Sequence, residues 1–152
     1  MIKNSKIGLK IILVLFILMG LIGCKSIESG FYIESIKIDK TTLKPNEEVN
    51  LEVDIAKKTG RQQIQHTANM KVQVVSNNPD IEIIPTPTTD AEEVQGSSIN
   101  VVARAGGVLP RPFKFKIKVN NNCKPGQYVI TVKSKVNDEE DLKIININVE
   151  GG

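Results

Sequence analysis

Few side chains in this sequence could build a reaction centre. They are two thiols, Cys24 and Cys123, one imidazole, His66, and four consecutive acids, Asp138-Glu139-Glu140-Asp141. A thiol acts as a nucleophile when a base stands beside it. His66 lies among polar neighbours and forms no triad pattern with either cysteine. Zinc needs three or four protein ligands, and the sequence holds no Cys/His cluster. Calcium takes spaced oxygen ligands around a glycine turn. The four acids lack both the spacing and the glycine, and read as a solvated hairpin tip. The chain is therefore not expected to be an enzyme, and no metal or other cofactor is expected.

Cys24 stands in a different context. Lys3, Lys6 and Lys10 precede an apolar run from Ile11 to Met19, and small Gly23 comes immediately before the cysteine. This is the order of an export signal. Broken only by Gly20, the run to Ile22 is short of the roughly 20 residues that span hydrocarbon. Leu21-Ile22-Gly23-Cys24 resembles the lipobox of bacterial lipoprotein precursors. That resemblance implies a signal peptide over 1–23, cleavage after Gly23, a diacylglyceryl thioether on Cys24 and a lipidated tether over 24–30. It places the protein on the extracytoplasmic face of a bacterial cell membrane, where two acyl chains hold stably and one holds only marginally. Cys123 is then left without a partner in the chain, so no disulfide framework is expected. Its setting, Asn120-Asn121-Asn122-Cys123-Lys124-Pro125-Gly126, is a turn-rich connection with the sulfur tucked beneath it.

The charge balance follows the same division. The chain carries 20 Lys+Arg and 17 Asp+Glu, and removing Lys3, Lys6 and Lys10 leaves 17 against 17. A neutral mature domain lacks the concentrated basic face that nucleic acid requires.

Period-two alternation dominates beyond the tether, and no segment sustains a helical stripe. Val49, Leu51, Val53 and Ile55 alternate with polar residues, as do Met70, Val72 and Val74. So do Phe113, Phe115, Ile117 and Val119, then Tyr128, Ile130 and Val132, then Ile145, Ile147 and Val149. Ile36 and Ile38 mark the first strand, and 81–84 and 99–103 read as shorter ones. Lys44-Pro45-Asn46, Ser76-Asn77-Asn78-Pro79 and Lys124-Pro125-Gly126 carry turn-setting residues. The expected fold is all-β, an antiparallel sandwich of about seven to eight strands over 31–150. The last strand ends almost at the final residue, so neither a second domain nor a C-terminal sorting segment is expected.

The order of Leu43-Lys44-Pro45-Asn46-Glu47-Glu48-Val49, Val72-Gln73-Val74-Val75-Ser76, Asn78-Pro79, the strand at 113–119 and Lys124-Pro125-Gly126-Gln127-Tyr128 resembles bacterial immunoglobulin-like surface modules. The likeness is strongest to the CARDB type, the cell-adhesion-related domain in bacteria. It implies an immunoglobulin-like sandwich, with Tyr128 as a tyrosine corner. In that topology the strands near 47–55 and 112–119 are neighbours. Lys114, Lys116 and Lys118 then face Glu48, Glu52 and Asp54 and form structural pairs, rather than a site for an anionic polymer. The loops near 57–67 and 137–141 share an end with the start of the first strand. A lipid on Cys24 would turn Lys57, Lys58 and Arg61 toward anionic headgroups. The expected role is a membrane-anchored protein-interaction, adhesion or scaffolding module, with an envelope or surface protein as partner. The alternative is a carbohydrate or wall-polymer binder. Sugar sites stack on exposed aromatics, and only Phe31 and Tyr32 are candidate platforms.

Overall fold

A computed structural model describes residues 30–58, 64–109 and 112–151 of the chain. The expected export signal, Cys24, the expected tether through residue 29 and Arg61 lie outside the described residues.

The alternating segments become strands: β1 (Phe31–Ile38), β2 (Thr42–Leu43), β3 (Glu48–Lys57), β4 (Ala68–Ser76), β5 (Ile81–Pro85), β6 (Glu92–Gln95), β7 (Ser98–Ala103), β8 (Phe113–Val119), β9 (Gly126–Val136) and β10 (Glu139–Val149). They form a four-stranded sheet, β1-β3-β8-β5, and a six-stranded sheet, β2-β10-β9-β4-β7-β6. Every pairing is antiparallel except β2 with β10. The sandwich is the expected one. Its two additional strands, β2 and β6, have two and four residues, too short for alternation to show.

The core lies between the sheets. Leu51, Val53 and Ile55 of β3 share one hydrophobic cluster with Val72 and Val74 of β4 and Ile130 and Val132 of β9, all 1% exposed or less. Phe113 and Phe115 of β8 are the largest fully buried side chains. Full burial of one such side chain is worth about 1.5–3 kcal/mol.

Two crossings shape the surface. After Ile38 the chain leaves β3 and reappears as β2 beside the end of β10, in the other sheet. Asp39 holds this crossing, its Oδ2 accepting from the backbone N–H and side-chain amide of Asn50 at 3.1 and 2.8 Å. After β5 the chain returns to the larger sheet as the β6–β7 hairpin, turned at Gly96 with φ 58. That hairpin widens the larger sheet by two strands.

Tyr128 forms the expected corner, its hydroxyl donating to the Lys124 carbonyl at 2.7 Å. Cys123 is buried beneath this connection. Desolvation, followed by contact with the Cys123 thiol, pushes the Tyr128 phenol above its ordinary pKa.

Candidate functional site

The end of the sandwich where β1 begins is held by side chains of β10. Gly30 donates its N–H to Glu139 Oε2 at 2.7 Å, and its carbonyl accepts from Lys58 N at 2.6 Å. Ile33 donates its N–H to Asp141 Oδ2 at 2.8 Å, and Lys143 reaches the Glu34 carbonyl at 3.4 Å. Gly30 has φ 91, and a Cβ there would meet the Lys58 Cβ at 3.2 Å, so glycine suits the start of β1.

The acidic run is accordingly not a loose tip. Asn137 and Asp138 alone make the turn, with Asn137 at φ 52, and the next three acids belong to β10. Glu139 and Asp141 point toward β1, while Glu140 on the other face pairs with Lys135 at 3.3 Å. Among the described residues no group of three His, Cys, Asp or Glu side chains gathers around a common point.

The residues expected to meet headgroups or ligand are placed unequally. Lys57 corrects the expectation of a loop position: it is the last residue of β3, only 5% exposed. Its ammonium lies 5.6 Å from the centroid of the Phe31 ring, a cation–π distance. Lys58 is exposed beside Gly30, at the start of β1. Tyr32 is half-buried opposite Ala56. Phe31 also departs from expectation, because its ring is buried and offers no platform for a sugar. His66 is exposed between β3 and β4.

The outer face of the four-stranded sheet alternates charge. Glu48 stands opposite Lys118, and Glu52 opposite Lys114. Lys114 pairs with Glu52 at 3.6 Å, and Lys116 reaches Glu48 diagonally at 3.7 Å. The lysine stripe is therefore matched by β3, as the expected strand adjacency requires. Asp54 instead accepts from the Ser35 hydroxyl at 3.0 Å.

The outer face of the six-stranded sheet is built differently. Lys135 of β9 stands directly opposite Lys71 of β4, a like-charge pair that costs stability. Next along the strands comes a row of Leu142, Lys133 and Gln73, then one of Ile144, Thr131 and Val75. Leu142 is 50% exposed and Ile144 60%. Two adjoining shallow depressions on this face share Lys71 and Lys135. Among the described residues neither Lys71 nor Lys133 has an ion-pair partner. This surface was missed in the sequence, although one signal was available: Leu142 and Ile144 put apolar residues on the face opposite Ile145 and Ile147.

No family model matches the chain, and no curated protein matches its sequence. Solved structures of similar fold include a conjugative transposon lipoprotein from Bacteroides eggerthii. It is 6% identical, with 77% of this chain and 95% of that one covered and a TM-score of 0.46. A lipoprotein from Bacteroides thetaiotaomicron is 8% identical, covering 80% and 82%, with a TM-score of 0.47. A cohesin module from a Clostridium perfringens family 33 glycoside hydrolase is 10% identical, covering 79% and 98%, with a TM-score of 0.42. Likenesses at these levels leave function to be argued from the chain's own residues.

Proposed function

We propose that this chain is a bacterial lipoprotein, anchored through Cys24 on the extracytoplasmic face of the membrane, whose sandwich is a non-enzymatic protein-interaction module. The interaction reading rests on the contrast between the two outer faces. One sets its lysines opposite or diagonal to acids of the adjoining strands, whereas the other sets Lys71 against Lys135 and leaves Leu142, Ile144 and Val75 exposed. The anchor reading rests on the lysines, apolar run and Leu21-Ile22-Gly23-Cys24 of the N-terminal segment.

Tether length sets where the module works. Residues 25–30 separate Cys24 from β1, and six extended residues reach about 20 Å at most. The domain stays near the bilayer with Lys58 toward it, where one lysine gains up to about 1 kcal/mol from anionic headgroups. The opposite end, with Asn77 and the Lys44-Pro45-Asn46 turn, points outward.

Labelled fatty acid is expected on the wild-type protein, and Cys24→Ala is expected to lose both label and membrane retention. Unlabelled wild-type protein refutes the anchor. Depth probes on cysteines placed at Lys58 and Asn77, with Cys123 replaced by alanine, are expected to find Lys58 nearer the lipid. The reverse order refutes the orientation. Amine cross-linking in intact cells is expected to give a discrete heavier species, and a protein that remains monomeric throughout refutes the interaction reading.

A further inference from the structure

The partner's chemistry can be read from the outer face of the six-stranded sheet, given that the domain is an interaction module. We propose that this face docks a protein segment in which carboxylates are interleaved with apolar side chains.

Charge and shape both point there. Lys71 and Lys135 are juxtaposed by the β4–β9 ladder, with Lys133 one row away. Lys135 has Glu140 at 3.3 Å, but that pair is open to solvent, with side chains 52% and 71% exposed. An incoming carboxylate between Lys71 and Lys133 would relieve repulsion that the fold leaves standing, and such complementarity steers encounter and fixes register. The neighbouring row, Ile144-Thr131-Val75, asks for apolar contacts from the same partner. A phosphate-rich polymer has none to offer. A bilayer is also a poor fit, because β9 and β10 extend lengthwise from the end where β1 begins, so that with the proposed anchor their face would stand along the membrane normal.

The available area suits a protein segment. The three strands β10, β9 and β4 at about 4.8 Å spacing and their three side-chain rows about 6.8 Å apart give a central footprint of about 300 Å². That suits a short segment held in a weak, transient contact, below the area of a standard interface.

The test uses the full-length lipoprotein in the cells that make it, with a photo-cross-linking residue at Gln73 on this face or at Glu82 on the other sheet. The Gln73 probe is expected to yield a discrete protein adduct whose cross-linked peptide carries Asp or Glu among apolar residues. Lys71→Glu, which places an acid opposite Lys135, is expected to abolish the adduct while leaving the melting temperature unchanged or raised. Ile144→Asp, at a largely exposed position, is expected to reduce the adduct at least tenfold with the fold intact.

An adduct that survives Lys71→Glu, or whose peptide is basic or uncharged, overturns the proposal, as does capture of phospholipid or wall polymer at Gln73. An adduct at Glu82 alone overturns the assignment of the face and leaves the interaction reading standing. Adducts at neither probe, together with monomeric protein after amine cross-linking, overturn both.

Discussion

The contact between Asp141 and β1 offers a sharp test of how the start of β1 is held. Ile33 has no exposed surface, and its N–H points away from β3 to Asp141 Oδ2 at 2.8 Å. A hydrogen bond to a charged acceptor contributes about 1.5–3 kcal/mol, and an orphaned buried donor costs about 1–3 kcal/mol. Asp141→Ala is therefore expected to cost about 2 kcal/mol, whereas Asp141→Asn keeps an oxygen in place and is expected to cost about half as much. A domain of this size has a total stability of about 5–15 kcal/mol, so the alanine variant should melt about 7 °C lower. Urea denaturation measures the global loss. Hydrogen exchange at the Ile33 amide measures the local one, expected to quicken by about 30-fold at ten-fold per 1.4 kcal/mol. Glu140→Ala is the control, since the exposed pair with Lys135 is worth less than about 1 kcal/mol. If Asp141→Ala cost no more than Glu140→Ala and left exchange at Ile33 unchanged, the side-chain clasp on β1 would be refuted.

Other outcomes follow from the packing and charge pairs. Lys116→Glu breaks the pair with Glu48 and sets two acids together, so it should cost about 0.5–1 kcal/mol in low salt and less in high salt; denaturation at two ionic strengths checks this. Phe115→Ala, at a site 1% exposed, should cost about 3–5 kcal/mol in the same measurement. Because the folded state raises the Tyr128 pKa, it keeps the phenol proton to higher pH than the unfolded chain does. Stability should be whole below the unfolded value of about 10 and fall as pH rises through the folded one; a pH series of melting temperatures should show Tyr128→Phe less sensitive to alkali than wild type. Glu47 behaves oppositely. Its hydrogen bonds from Lys40 and from the Lys44 backbone lower its pKa, so its contribution holds above the unfolded value and is lost as acid titrates through the folded one, visible as loosening of the Lys44-Pro45-Asn46-Glu47 turn by NMR.

The sequence alone determined the strands whose alternation is unbroken. Along β4, β8 and β3 as far as Ile55 each inward residue is apolar and each polar residue faces out, so a period of two is already a local record of sheet and side. The pairing of the lysine stripe was legible because the resemblance to immunoglobulin-like modules supplied one adjacency, that of β3 and β8. The tertiary structure decided the rest. β1 changes phase at a bulge: Ile33 faces Ile55, Ser35 faces Asp54, and the inward set moves from Phe31 and Ile33 to Ile36 and Ile38. Alternation therefore shows only the second half of the strand, and Phe31 and Lys57 looked exposed when they are buried together. The acids at 138–141 looked like one solvated tip because nothing local says that β1 passes beside β10. Lys71 and Lys135 lie 64 positions apart in the chain yet stand opposite each other in adjacent strands. The facing of strands is a long-range choice made by burying both sheets at once, and residues that meet only through that choice leave no periodic trace in the sequence.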